Sequence, residues 1–135
     1  MLPRALLDTD TLSAVMKQQP AAVARATVYL ADHGQLTFSI ITRYEILRGL
    51  AAKRAVAQLA AFERLCSIST VLPLADAAIV QAADIYADLH QRGMPLGDAD
   101  ILIAATALVN DLVVVTNNEN HFGRIVGLAV DNWLK

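Results

Sequence analysis

Ala5-Leu6-Leu7-Asp8-Thr9-Asp10-Thr11-Leu12 opens on a short apolar run that stops at a carboxylate. Similar short apolar runs return at Leu36 to Ile40, Val71-Leu72, Leu112 to Val115 and Leu128-Ala129-Val130, with polar turns after them. Near-continuous apolar runs suit strands of a parallel sheet that is covered on both faces. Helical patterns lie between them. Val23, Ala26 and Leu30 share one face, and Val56, Leu59, Phe62 and Cys66 share another. Ile79, Ala82, Ala83, Tyr86 and Leu89 form the clearest stripe, with Asp76 placed as the N-cap before it. Strand and helix therefore alternate, which predicts a three-layer α/β/α sandwich around a central, mainly parallel sheet. Turn chemistry at Gln19-Pro20, Asp32-His33-Gly34 and Arg92-Gly93-Met94-Pro95 marks the breaks. With no repeat, low-complexity tract or Gly/Ser linker, the 135 residues read as one domain over 1–135.

Composition narrows the class further. A 56% hydrophobic content and a mean hydropathy of +0.44 exclude a disordered chain. The apolar runs are too short to cross a bilayer, and Met1-Leu2-Pro3-Arg4 shows no basic leader followed by an apolar stretch. Cys66 stands alone, so no internal disulfide forms. A cytoplasmic protein without membrane association is expected.

Charge is informative once it is split by position. Eleven Lys and Arg against thirteen Asp and Glu give −2. Five of the acids, Asp8, Asp10, Glu45, Asp98 and Asp100, fall at one predicted edge of the sheet; without them eleven cations face eight acids. A cation bound there leaves a modestly basic rim that includes Arg43, Arg48, Lys53 and Arg54, so a polyanionic substrate is compatible with the acidic total.

Open α/β sheets collect their ligands just beyond the carboxyl ends of the strands. Asp8 follows Leu6-Leu7 directly, and Glu45 falls in the first turns of the helix after the strand containing Phe38. Asp98 and Asp100 open the helix that runs on through Ile101 to Leu108, and Thr116, Asn117 and Asn118 follow Val113-Val114-Val115. Two carboxylates about 4 Å apart repel by roughly 4 kcal/mol at an effective dielectric near 20, so such a cluster needs protons or a cation. Oxygen donors without His or Cys company favour Mg²⁺ or Mn²⁺ over zinc, and His33, His90 and His121 show no zinc-ligand spacing.

Each residue also has a plainer role open to it. Asp98 is placed to cap its helix, and Asp100 gains from the helix dipole whatever else it does. Thr42-Arg43-Tyr44-Glu45 fits the capping-box pattern, and Asp10 suits an Asx-type bond in the turn after the first strand. Cys66, Met94 and Trp133 read as packing residues.

Two families share features with these motifs. Leu6-Leu7-Asp8-Thr9-Asp10-Thr11-Leu12 resembles the DxDxT signature of haloacid-dehalogenase-type phosphatases, which implies Asp8 as nucleophile and Asp10 as general acid/base. Ser39, Gly97-Asp98 and Lys53 stand where later motifs would fall, but Leu102 and Ile103 occupy the places of that family's further acid. The whole chain, over residues 5 to 134, resembles the PIN-domain ribonucleases, in particular VapC toxins of type II toxin–antitoxin systems. That resemblance rests on Leu7-Asp8-Thr9-Asp10-Thr11-Leu12-Ser13, Ser39 to Gly49, Pro95 to Ala105 and Val115-Thr116-Asn117-Asn118-Glu119-Asn120-His121-Phe122, in order.

The PIN resemblance implies a Mg²⁺-dependent endoribonuclease, with Mn²⁺ as substitute. Asp8 and Asp100 are the implied principal ligands, Glu45 stands beside them, and Asp98 partly restores charge. Thr116 and Asn118 help place the attacking water. The implied substrate is RNA, with tRNA around the anticodon favoured. The implied partners are a second copy of the chain and a VapB-like antitoxin in a hetero-oligomer. Alanines at 51, 52, 55, 57, 60 and 61 agree with close approach of a partner or with packing inside the monomer. Asn118 replaces an acid that many members carry, which leaves the number of metal ions open. An inactive PIN-like binding module is the non-enzymatic alternative.

Overall fold

The computed structural model describes residues 2–135. Five parallel strands form one sheet in the order β3-β2-β1-β4-β5: β1 is Ala5–Leu7, β2 Thr37–Ser39, β3 Thr70–Leu72, β4 Val113–Val115 and β5 Val130–Asp131. The expectation of a mainly parallel sheet thus holds in full. Seven helices cover it: α1 Thr9–Met16, α2 Pro20–His33, α3 Ile40–Ala52, α4 Val56–Ser67, α5 Asp76–Gln91, α6 Asp98–Val109 and the single turn α7 Glu119–Phe122.

Strand alternation explains the layers. In β1, Leu6 points into a core built with Ala78, Ala82, Ile85 and Leu89 of α5 and Ile101, Ile103 and Ala104 of α6. Its neighbours Ala5 and Leu7 point into a second core with Leu12, Ala26, Tyr29, Ile46, Phe62 and Trp133. Both faces are apolar because both are covered, which is why the strands read as continuous runs. The central position of β1, paired with β2 on one side and β4 on the other, places Asp8 in the middle of the sheet's carboxyl edge.

The predicted breaks hold, with local corrections. Pro20 starts α2, and Gly34 ends it at φ 82°, a left-handed conformation that glycine adopts without strain. Ser39, not Thr42, caps α3: its hydroxyl accepts from the Thr42 amide at 3.1 Å. Thr42-x-x-Glu45 is therefore no capping box, and Glu45 stands inside the helix. Ala75 precedes α5, so Asp76 is its first residue and not its cap. The buried stripe of α5 is Ala78, Ala82, Ile85 and Leu89, turned away from the expected face, which leaves Ile79 and Tyr86 exposed. In α2 the buried face is likewise Ala22, Ala26 and Tyr29, with Leu30 exposed. Trp133 is core as expected. Met94 is exposed. Cys66 is half-buried, with its Sγ accepting from Arg43 at 3.2 Å.

Candidate active site

Asp8 ends β1 and opens α1, and both roles follow from its place. Its backbone N–H continues the ladder to the Val115 carbonyl at 3.0 Å, while its Oδ1 accepts from the Thr11 amide at 2.9 Å and so caps α1. The turn bond expected of Asp10 is thus made by Asp8, and Asp10 is exposed in the first turn. Asp8 is only 5% exposed. Burial pushes its carboxyl above the usual range against the bonds from Thr116 and Thr11, and the charge of Asp10 raises it further.

Glu45 reaches the same edge from α3, half-buried. Its Oε1 accepts from the Thr9 hydroxyl at 2.6 Å, and Thr9 Oγ1 lies 3.1 Å from Thr42 Oγ1, so Thr42 of α3 backs the α1 hydroxyl that holds the carboxylate. On its outer side Arg48 Nη2 stands 3.6 Å from Oε2. Asp100 is half-buried in the first turn of α6. Desolvation raises its pKa, as do the nearby charges of Glu45 and Asp10, while His121 acts in the opposite direction. Asp10 acts on both Asp8 and Asp100, and Glu45 and His121 act on Asp100, so these five side chains share one electrostatic neighbourhood.

Thr116 is buried after β4, its hydroxyl favours the charged form of Asp8, and its Oγ1 accepts from the Asn118 amide at 2.9 Å. The Asn118 side chain engages His121, with Nδ2 2.5 Å from Nδ1. Asn132 ties this loop to the C-terminal strand, donating from Nδ2 to Asn117 at 3.2 Å and to Glu119 at 3.0 Å. Sequence reasoning missed Thr9, Thr42 and His121. The first two were legible only as helix-start residues, and the third only as a histidine without a zinc pattern.

Other expectations resolve differently. Asp98 is exposed, makes no cap bond at the start of α6, and Gly97 holds the cap position. Arg43 is withdrawn from the basic rim by an ion pair with Glu63 and its bond to Cys66, both of which hold its pKa up. Among the described residues, no three His, Cys, Asp or Glu side chains stand close enough to hold a metal ion as they are placed. Asp8 and Glu45 each accept a hydrogen bond from a neighbour of their own, Thr11 and Thr9.

A model of the PIN domain matches residues 5–128. The chain belongs to the PIN-domain family. It is 31% identical over 129 residues to the tRNA(fMet)-specific endonuclease VapC of Shigella flexneri, covering 95% of this chain and 96% of that one. It is 33% identical over 132 residues to the protein of the same name from Salmonella typhimurium, with the same coverage. Among solved structures it resembles the DNA-bound VapBC of Salmonella typhimurium, with a TM-score of 0.81 and 31% identity over 98% of this chain and 99% of that one. The phosphatase alternative for Asp8 and Asp10 falls with these matches. PIN-domain nucleases in general use divalent metal ions. The oxygen donors gathered at this PIN domain's sheet edge are of the kind such ions take.

Proposed function

We propose that this protein is a metal-dependent endoribonuclease toxin, a single PIN domain over 1–135, that hydrolyses RNA phosphodiester bonds. Its substrate in this reading is tRNA at the anticodon region, and its cofactor is Mg²⁺, with Mn²⁺ as substitute. The observation that carries the reading is the pair Asp8 and Asp100, both with pKa values raised by burial at the carboxyl edge of the sheet, with the nearby Glu45 carboxylate raising that of Asp100 further. Carboxylates held charged at that cost gain most when a cation joins them. The names of the relatives, tRNA(fMet)-specific endonucleases, support the substrate class.

Asp8, Glu45 and Asp100 would hold the ion, with Asp98 at the outer margin. When bound, it supplies Lewis acidity toward a phosphate oxygen and lowers the pKa of a water. The chain's own groups do the rest. Thr9, backed by Thr42, fixes the Glu45 carboxylate so that it orients the attacking water and accepts its proton. The Thr11 amide fixes Asp8, Thr116 stands at the next strand end, and Asn118, held by His121, adds an amide to the water's surroundings without adding charge. Most of the protein's contribution is placement and fixed charge.

A second copy of the chain and a small VapB-like antitoxin complete the reading; the related structure from Salmonella is a VapBC complex. A groove of about 540 Å³ adjoins the site, lined by Thr9, Met16, Glu45, Ile46, Leu50 and Leu65 among others. The alanines at 51, 52, 57, 60 and 61 are exposed rather than packed within the chain, which agrees with the close approach of a partner. A cytoplasmic location is part of the reading; among the described residues no helix is long and apolar enough to cross a membrane.

The test is cleavage of total tRNA by the purified chain with Mg²⁺, with Mn²⁺ and with chelator. Cutting that requires the metal and is lost in Glu45→Gln supports the reading. Binding of tRNA without cutting supports an inactive module instead.

A further inference from the structure

We propose that Tyr44 and Arg48 form a stacking platform for an unpaired nucleobase at the rim of the acid site; the proposal rests on the ribonuclease reading above and names where its substrate is gripped. The chain has seven aromatic residues, and five of them, Tyr29, Phe38, Phe62, Phe122 and Trp133, are buried. The two exposed ones are Tyr44, at 58%, and Tyr86. Tyr86 lies on α5 and stacks on His90. Tyr44 lies on α3, one residue before Glu45.

Arg48 fixes where the Tyr44 ring stands. Its guanidinium lies 5.1 Å from the Tyr44 ring centroid, and its Nη2 is 3.6 Å from Glu45 Oε2. One side chain thus touches both the ring and the carboxylate, which sets the ring at the margin of the site. Ile40, Tyr44 and Arg48 recur every four residues and form one exposed stripe on α3. Such a stripe adds nothing to either core.

Its chemistry matches an RNA base. Splayed bases stack on tyrosine rings and on arginine planes, and here one offers a π face and the other a delocalised cation. The cation also suits the phosphate backbone on its way to the acids. Bases already stacked within a duplex gain nothing from such a surface, so the platform selects a loop nucleotide beside the scissile phosphate.

Binding is measured by fluorescence anisotropy on the full chain in chelator, using hairpin RNAs whose loop is abasic at one successive position each. Tyr44→Ala weakens binding of the intact loop roughly 5- to 150-fold, the counterpart of the ~1–3 kcal/mol a stacked base contributes. Tyr44→Trp retains binding. One abasic position reproduces the loss, and there Tyr44→Ala has no further effect. A fully paired RNA is insensitive to residue 44. Equal binding of intact and abasic loops by wild type and Tyr44→Ala overturns the platform. A dimer-to-monomer shift on size-exclusion chromatography that accompanies the loss and is not repaired by Tyr44→Trp also overturns it, because the ring then contacts a second copy. Loop binding that depends on Tyr44, in a protein that cuts no RNA with metal, would leave the platform standing and remove the ribonuclease reading.

Discussion

Asp8 carries two duties that conflict: it caps α1 as an acceptor, and it stores a charge in a buried place. Its folded pKa lies above the unfolded value of 3.8 because burial outweighs its hydrogen bonds. The folded state therefore binds the proton more readily, and stability falls as pH rises from 3.8 through the folded pKa. Above the folded pKa the cost is fully present. Asparagine keeps the cap and loses the charge, so metal-free Asp8→Asn melts a few degrees higher than wild type at pH 7, while the two converge as pH approaches 3.8; thermal scans in chelator across that range check it. Activity moves the other way: Asp8→Asn, Glu45→Gln and Asp100→Asn each abolish RNA cleavage in a folded protein, and Asp98→Asn, exposed as it is, costs far less. Thr9→Val separates positioning from stability. It removes the donor 2.6 Å from Glu45, so single-turnover cleavage slows about ten-fold or more, within the range positioned acid–base groups contribute, while the melting temperature scarcely changes.

At the scale of elements, Ser39 is the cap that sequence pattern assigned to Thr42. Ser39→Ala should cost about 1 kcal/mol by urea unfolding, through the lost bond to the Thr42 amide. The strands were legible because a sheet covered on both faces needs apolar residues on both, and Leu6 and Leu7 serve opposite cores. Asp8, Glu45 and Asp100 were legible as candidates because strand ends and first helical turns gather at one edge. The helix faces were less so. In α5, alanines on several sides let two stripes compete, and only the packing of α6 selects Ala78, Ala82, Ile85 and Leu89. The Thr9–Thr42–Glu45 bonds join residues 33 and 36 positions apart, and no local pattern encodes that meeting of α1 with α3.

For the molecule as a whole, the proposed acid site is expected to make metal a folding ligand. Free Mg²⁺ or Mn²⁺ at 100 times its dissociation constant adds about 2.7 kcal/mol, a rise of several degrees in melting temperature. Asp8→Asn should lose most of that rise in the same differential scanning experiment. An antitoxin that reaches the site is expected to place a basic side chain beside Asp8 and Asp100, and removing one partner of such a buried pair costs roughly 2–5 kcal/mol. Replacing that side chain should release RNA cleavage at antitoxin concentrations that otherwise silence it.

The strand order has a further consequence, for synthesis. The first strand made is the middle one, and it stays open on one side until β4 is built; the Thr11 hydroxyl meets the Val115 carbonyl across 104 residues. Thr116 and Asn118 arrive later still. A nascent chain therefore carries Asp8 without a formed site around it until those segments are made. A product terminated before Val113 is expected to be inert however much of it accumulates, and catalytic competence waits for β4 and the loop after it.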